Sequence, residues 1–249
     1  MSELSDKEQL RYSRHLMLKE VGLEGQLKLK SAHVVVVGAG GLGSPALLYL
    51  AASGVGELTL LDDDKVELSN LQRQVLYKVN HLGQAKVSAA GKVLGSLNNQ
   101  ITVNTIEQQL TEHNAEKIFA GATLVLDCSD NFTTRYTVNR FCLKAGIPLI
   151  SGAAIASEGQ LMCFDFRKAN SPCYGCLFPE QPTEQALNCD NAGVLSPLLG
   201  VIGSMQALLA INLILGHHEG SQFVRFDGLS LTQQQFRLTK APECTECGV

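Results

Sequence analysis

The sequence predicts an α/β fold: a mostly parallel sheet flanked by helices, followed by antiparallel C-terminal strands. Three observations carry this. Short β-branched runs alternate with helical stretches as far as about residue 151, the pattern of parallel strands joined by crossover helices. The first of those runs ends in a glycine-rich turn. Past residue 151, strand-like segments follow one another without obvious crossover helices.

The elements follow in order. Residues 5–20 read as a helix capped by Ser5, with Leu10, Leu16 and Leu18 among charged residues. His33–Val37 is a buried strand by its run of valines. Helix 43–53, strand Glu57–Leu61 and helix 84–97 come next, then strand 101–106, helix 112–119 and strand 123–127. Helix 133–145 and strand 148–151 close the alternating part. Strands are then expected at 160–166, Gln222–Asp227 and 233–239, and a long apolar helix at 197–215. Residues 179–191, with Pro179 and Pro182 and little periodicity, are expected to be a mobile loop.

Composition narrows the function. A chain of 249 residues, 45% hydrophobic, can bury a sizeable core. A formal net charge of −4 argues against nucleic-acid binding. No run reaches about eighteen consecutive apolar residues, so no membrane span is expected. The polar start MSELSDKEQLRYSRH is unlike a signal peptide, which points to the cytoplasm. Eight cysteines in a reducing compartment suggest metal binding or catalysis rather than disulfides.

Gly38, Gly40 and Gly43 form G-x-G-x-x-G, with Gly41 inside it, between a strand and a helix. Such a turn lets the backbone approach a phosphate at a helix N-terminus. Asp62 follows the next strand, where an acid can bond ribose hydroxyls. Taken alone, this motif also suits an NAD-dependent oxidoreductase. The segment from Asp64 to Gln74, with Lys86 beyond it, is richer in basic and amide groups than hydride transfer needs. Arg73 and Lys86 suit the oxygens of a triphosphate, or are solvated surface charges. At Asp127-Cys128-Ser129-Asp130-Asn131 a strand ends in acids and an amide. Asp130 can hold magnesium, or Asp130 or Asn131 can simply cap the helix that follows.

Cys173-Tyr-Gly-Cys176 and Cys244-Thr-Glu-Cys247 are two C-x-x-C pairs. Four thiolates close a tetrahedral zinc site with no open position, and such a site is structural; an iron–sulfur cluster and a redox dithiol are the alternatives. Cys128, Cys142 and Cys163 sit in apolar contexts and read as small core residues.

In their order and spacing, GAGGLG, DDDKVELSNLQRQ, GQAK, DCSDN and the paired cysteines resemble the MoeB/ThiF family, bacterial relatives of the ubiquitin-activating enzymes. The likeness runs from Arg11-Tyr12-Ser13-Arg14 to the last cysteines. It implies a single Rossmann-like adenylation domain over 1–249, with a helical arm at 1–30, a nucleotide-binding part at 31–151 and a carrier-binding and zinc part at 152–249.

The implied activity is ATP-dependent adenylation of the C-terminal Gly-Gly carboxylate of a ubiquitin-like sulfur carrier, ThiS-like or MoaD-like. Thiamin and molybdopterin synthesis remain equally open. A non-catalytic binder of such a carrier is a further alternative. The resemblance implies ATP, Mg2+ and Zn2+ as ligands. It places Gly38, Gly40, Gly41, Gly43, Asp62, Asp64, Ser69, Asn70, Leu71, Gln72, Arg73, Lys86, Asp130 and Asn131 at the nucleotide. Asp62 would take the ribose, Asn70, Arg73 and Lys86 the phosphates, and Asp130 the magnesium. Arg14 resembles an arginine supplied across a homodimer interface. Cys189 aligns with a cysteine that in some members links covalently to the carrier or its sulfur, although neighbouring Asp190 would raise its pKa. A separate sulfur donor such as a cysteine desulfurase is expected, because no sulfurtransferase-like segment follows Cys247. One departure stands out. Where relatives read QAxEAIK, this chain has Gln206-Ala207-Leu208-Leu209-Ala210-Ile211-Asn212 and lacks the acid and the lysine.

Overall fold

A computed structural model describes residues 3–180 and 193–248. Among these, eight strands form one sheet in the order β3-β2-β1-β4-β5-β6-β7-β8. They are β1 His33–Val37, β2 Glu57–Leu61, β3 Thr102–Ile106, β4 Leu124–Asp127, β5 Leu149–Ile155, β6 Glu158–Phe164, β7 Gln222–Asp227 and β8 Thr232–Arg237. The first five pair in parallel, and β5 to β8 pair antiparallel.

Alternation along the strands explains the unbroken apolar runs. Val34 and Val36 enter one hydrophobic core with Leu58, Leu60, Leu124 and Leu126. Val35 and Val37 enter a second with Leu61, Val125 and Leu149. Successive side chains point to opposite faces, so a strand covered on both faces must be apolar throughout.

Among the described residues the α-helices are α1 Asp6–Arg11, α2 Ser13–Leu16, α3 Gly22–Ser31, α4 Gly43–Ala52, α5 Lys86–Leu97, α6 Ala115–Phe119, α7 Phe132–Ala145, α8 Tyr174–Leu177 and α9 Ser196–Leu215. Helix α9 is long and apolar enough to cross a membrane, with mean hydropathy 2.1. It is instead a core helix, packed against α3, α4, β5 and β6.

The arm differs from the single helix expected at 5–20. Ser5 does cap α1, in a capping box with Glu8. The helix then breaks at Tyr12, whose buried ring packs on Gly54 and whose hydroxyl accepts a 2.8 Å hydrogen bond from Asn98 Nδ2. That long-range anchor overrides local helix propensity. Helix α3 lies in the helical arm expected at 1–30, although no separate helix is expected after residue 20; it has few periodic apolar positions, with only Gly25, Gln26 and Leu29 buried. Strand β5 extends four residues beyond the expected 151, because β6 pairs with it back to Ile155↔Glu158. The expected mobile loop falls mostly within 181–192, outside the described residues.

Candidate active site

In the order β3-β2-β1-β4-β5 the chain leaves β1 toward β2 on one side, while β4 lies on the other. Parallel sheets bind ligands at such a switch point, beyond the strands' carboxyl ends. A cavity of about 440 Å³ opens there. Gly38 leaves β1 with φ +92°, and a Cβ at that position would stand 2.8 Å from the Cys128 carbonyl oxygen. A Cβ on Gly43 would collide with the Gly38 carbonyl. Both positions therefore require glycine, and the turn they permit brings Gly40 and Gly41 to the cavity wall.

Beyond β2, Asp62 is tied to this turn. Its Oδ2 accepts from Ala39 N–H at 2.8 Å, and its Oδ1 from Asp64 N–H at 2.9 Å. Burial raises its pKa, and Lys86 and the two backbone donors only partly offset the rise. Lys86 opens α5 and is buried, with Nζ 2.7 Å from Asp64 Oδ2. Arg73 lines the cavity and donates from Nη1 to Ser69 O at 3.1 Å.

Of the residues expected at the nucleotide, the cavity is lined by Gly38, Gly40, Gly41, Asp62, Asp64, Arg73, Lys86, Asp130 and Asn131. Gly43, Ser69, Asn70, Leu71 and Gln72 are not among the residues lining it. Asn70 is buried and closes a short 3-10 turn by accepting from Glu67 N–H. Gln72 Oε1 accepts from Ser196 Oγ at 2.7 Å, tying this segment to the start of α9.

At β4, Asn131 caps α7, accepting from Thr134 N–H at 2.8 Å. Asp130 is left out of the cap and stands exposed at the cavity wall. Beneath it lies a buried network that sequence reasoning missed. Asp127 accepts from Ser129 Oγ at 2.5 Å and from Ser151 Oγ at 2.7 Å. Arg135 donates to Ser151 Oγ at 3.1 Å and to Ser129 O at 2.5 Å. Burial alone would lower the pKa of Arg135. Asp127, then Tyr174 and Asp130, more than reverse that effect, so a buried cation lines the cavity. Its signal in the sequence is an arginine sharing a helix face with Val138, Asn139 and Cys142, all buried. Gln74 is a second missed residue. It is buried at the cavity wall, its Nε2 3.6 Å from where a Gly40 Cβ would stand, and its Oε1 has no partner among the described residues.

The four cysteines converge. All four Sγ atoms lie within 4.8 Å of one another. Cys173–Cys176, Cys173–Cys244 and Cys176–Cys247 are 4.0, 3.6 and 3.4 Å apart. Thiolates around a tetrahedral zinc, with Zn–S about 2.3 Å, stand about 3.8 Å apart. Backbone N–H groups of Cys173 and Ala241 point at Cys176 Sγ, at 3.5 and 3.4 Å, which suits a thiolate. The cluster therefore fits zinc. Cys128, Cys142 and Cys163 are buried as expected. Arg14 is exposed and does not line this cavity. Cys189 lies outside the described residues.

The family model described as ThiF family matches residues 12–248. The chain is 46% identical over 250 residues to the molybdopterin-synthase adenylyltransferase of Salmonella typhimurium, spanning the whole of both chains. It is 43% identical over 241 residues to the SAMP-activating enzyme E1 of Haloferax volcanii, covering 96% of this chain and 88% of that one. A crystal structure of Escherichia coli MccB with ATP is similar with a TM-score of 0.82 at 25% identity, over 96% of this chain and 75% of that chain. With a match across nearly its whole length and full-length relatives above 40% identity, the chain belongs to the ThiF family.

Proposed function

We propose that this chain transfers the adenylyl group of ATP to the C-terminal carboxylate of a ubiquitin-like sulfur carrier. The carboxylate oxygen attacks the α-phosphorus, the bond to the β-phosphate oxygen breaks, and pyrophosphate leaves. The carrying observation is the cavity at the β1/β4 switch point, which gathers the glycine turn, Asp62, Arg73, Lys86 and Asp130 in one space. The names of the full-length relatives, a molybdopterin-synthase adenylyltransferase and a SAMP-activating enzyme, support the same reaction. Identity of 46% to the former favours a MoaD-like carrier over a ThiS-like one.

Both reactants are anions, so positioning and charge stabilisation are the main requirements. Asp62 takes the ribose hydroxyls. Arg73 and Lys86, with Asn70 beside them, hold the phosphates, and the N-terminus of α4 adds its partial positive charge. Asp130, not used by the cap, is a carboxylate available to Mg2+, which would supply charge neutralisation on the phosphates. Arg14 acts at the partner's site in a homodimer, which its exposure away from its own cavity supports. Zinc in the four-cysteine cluster pins the C-terminal tail to α8. Cys189 serves later transfer of sulfur from a separate donor such as a cysteine desulfurase, and the cytoplasm is the compartment of the reaction. Carrier-dependent exchange of labelled pyrophosphate into ATP tests the reading; no exchange with either carrier type would refute it.

A further inference from the structure

Tyr77 is 5% exposed and does not line the cavity, yet its hydroxyl donates to the Ala39 carbonyl at 2.7 Å. Ala39 is the second residue of the glycine turn and is wholly buried. Its N–H donates to Asp62 Oδ2 at 2.8 Å. Both polar groups of Ala39 are therefore held. One is held by the carboxylate assigned to the ribose, the other by a phenol from the segment that carries Arg73. That segment is folded back by turns, with Gln74 N–H donating to Asn70 O at 2.9 Å and Tyr77 N–H to Gln74 O at 3.1 Å. Burial, then Asp62 and Asp64, raise the pKa of the phenol, so it keeps the proton that it donates.

The Ala39 carbonyl and the Gly40 N–H belong to one planar trans peptide, so they point in opposite directions. Tyr77 holds the carbonyl in the interior. The Gly40 N–H is thereby turned away from Tyr77, at a residue that lines the cavity. It has no acceptor among the described residues. A peptide followed by glycine can flip at little steric cost, because glycine accepts either sign of φ. The Tyr77 bond selects one of the two orientations, the one that leaves a backbone donor for an anion in the cavity.

We propose that Tyr77 is a positioning residue of the adenylation site: by fixing the Ala39–Gly40 peptide, its hydroxyl aims the Gly40 N–H at the phosphates of ATP. It rests on the reading of the cavity as an ATP site. The same bond ties the glycine turn to the segment bearing Arg73, so the two grips on the triphosphate are set at a fixed separation.

Tyr77→Phe keeps the ring and removes only the hydroxyl. Tyr136→Phe is the control: it too removes a phenol from a backbone carbonyl, that of Phe178 at 3.0 Å, away from the glycine turn. Full-length, zinc-loaded proteins are compared well below their Tm, by equilibrium binding of ATP with magnesium and by pyrophosphate exchange with a purified MoaD-like carrier. Tyr77→Phe should weaken ATP binding and raise KM for ATP about fivefold or more, the effect of about one hydrogen bond. Its KM for the carrier should change less than about twofold. Tyr136→Phe should leave ATP binding within about twofold of wild type. Unchanged ATP binding by Tyr77→Phe overturns the assignment. So does a similar weakening in Tyr136→Phe, or an equal rise in KM for the carrier, because either marks a general loosening. Wild type that binds no ATP–magnesium removes the adenylation reading and this inference with it; wild type that binds ATP beside an indifferent Tyr77→Phe removes this inference alone.

Discussion

Lys86 Nζ lies 2.7 Å from Asp64 Oδ2, with the lysine buried and the aspartate largely exposed. The pair holds an ammonium at the mouth of the cavity before any nucleotide arrives. Because the aspartate side is solvated, the pair itself stabilises the fold little. Its value lies in placing the charge. Lys86→Met should lower pyrophosphate exchange by about a hundredfold, roughly 2.7 kcal/mol of barrier. Asp64→Asn, which keeps a hydrogen-bond acceptor, should lower it less than about tenfold. Equal losses in the two variants would mean that Asp64 contacts the nucleotide or metal directly.

Asp130 and Asn131 are neighbours with separable jobs. Asn131→Ala removes the α7 cap and should cost about 1 kcal/mol of stability. Asp130→Ala removes an exposed carboxylate and should leave stability within about 0.5 kcal/mol while abolishing exchange. Denaturant melts and exchange assays on both variants check this. A destabilised but active Asp130→Ala would reverse the assignment.

The four-cysteine cluster predicts zinc bound to the folded protein. Cys244→Ser should lower zinc content and Tm together, since metal binding is coupled to folding. Cys163→Ser, at a buried position outside the cluster, should leave zinc content unchanged. Metal analysis after dialysis reads both, and a metal-free protein with unchanged Tm contradicts a structural zinc.

Arg14 and Asp130 should complement across subunits. Each variant alone, Arg14→Ala or Asp130→Ala, should be inactive. Mixed dimers contain one site with both groups intact, so remixing should restore part of the exchange. No recovery in demonstrated mixed dimers would place Arg14 within its own chain's chemistry or outside it altogether.

Much of this was legible in the chain. His33–Val37, Glu57–Leu61 and Gln222–Asp227 have the bounds expected of them, because strands buried on both faces or paired in a hairpin carry dense apolar or alternating signals. The glycine turn and the cysteine pairs were legible because each motif is local. The arm was not, since Tyr12 breaks its helix for a partner at Asn98, far along the chain. Arg135 escaped for a related reason. It sits among buried residues and looks like core from its neighbours in sequence; only the sheet order reveals that the core at that point borders a cavity. Cys189 falls outside the described residues, so its part rests on sequence alone.

The most direct measurement is exchange of radiolabelled pyrophosphate into ATP by the purified enzyme with magnesium, with and without a MoaD-like or ThiS-like carrier. The account predicts exchange that needs a carrier with its terminal Gly-Gly, disappears when that tail is removed, and is strongest with the MoaD-like protein. Enzyme that binds either carrier yet exchanges no pyrophosphate, or that prefers NADH to ATP–magnesium, would contradict it.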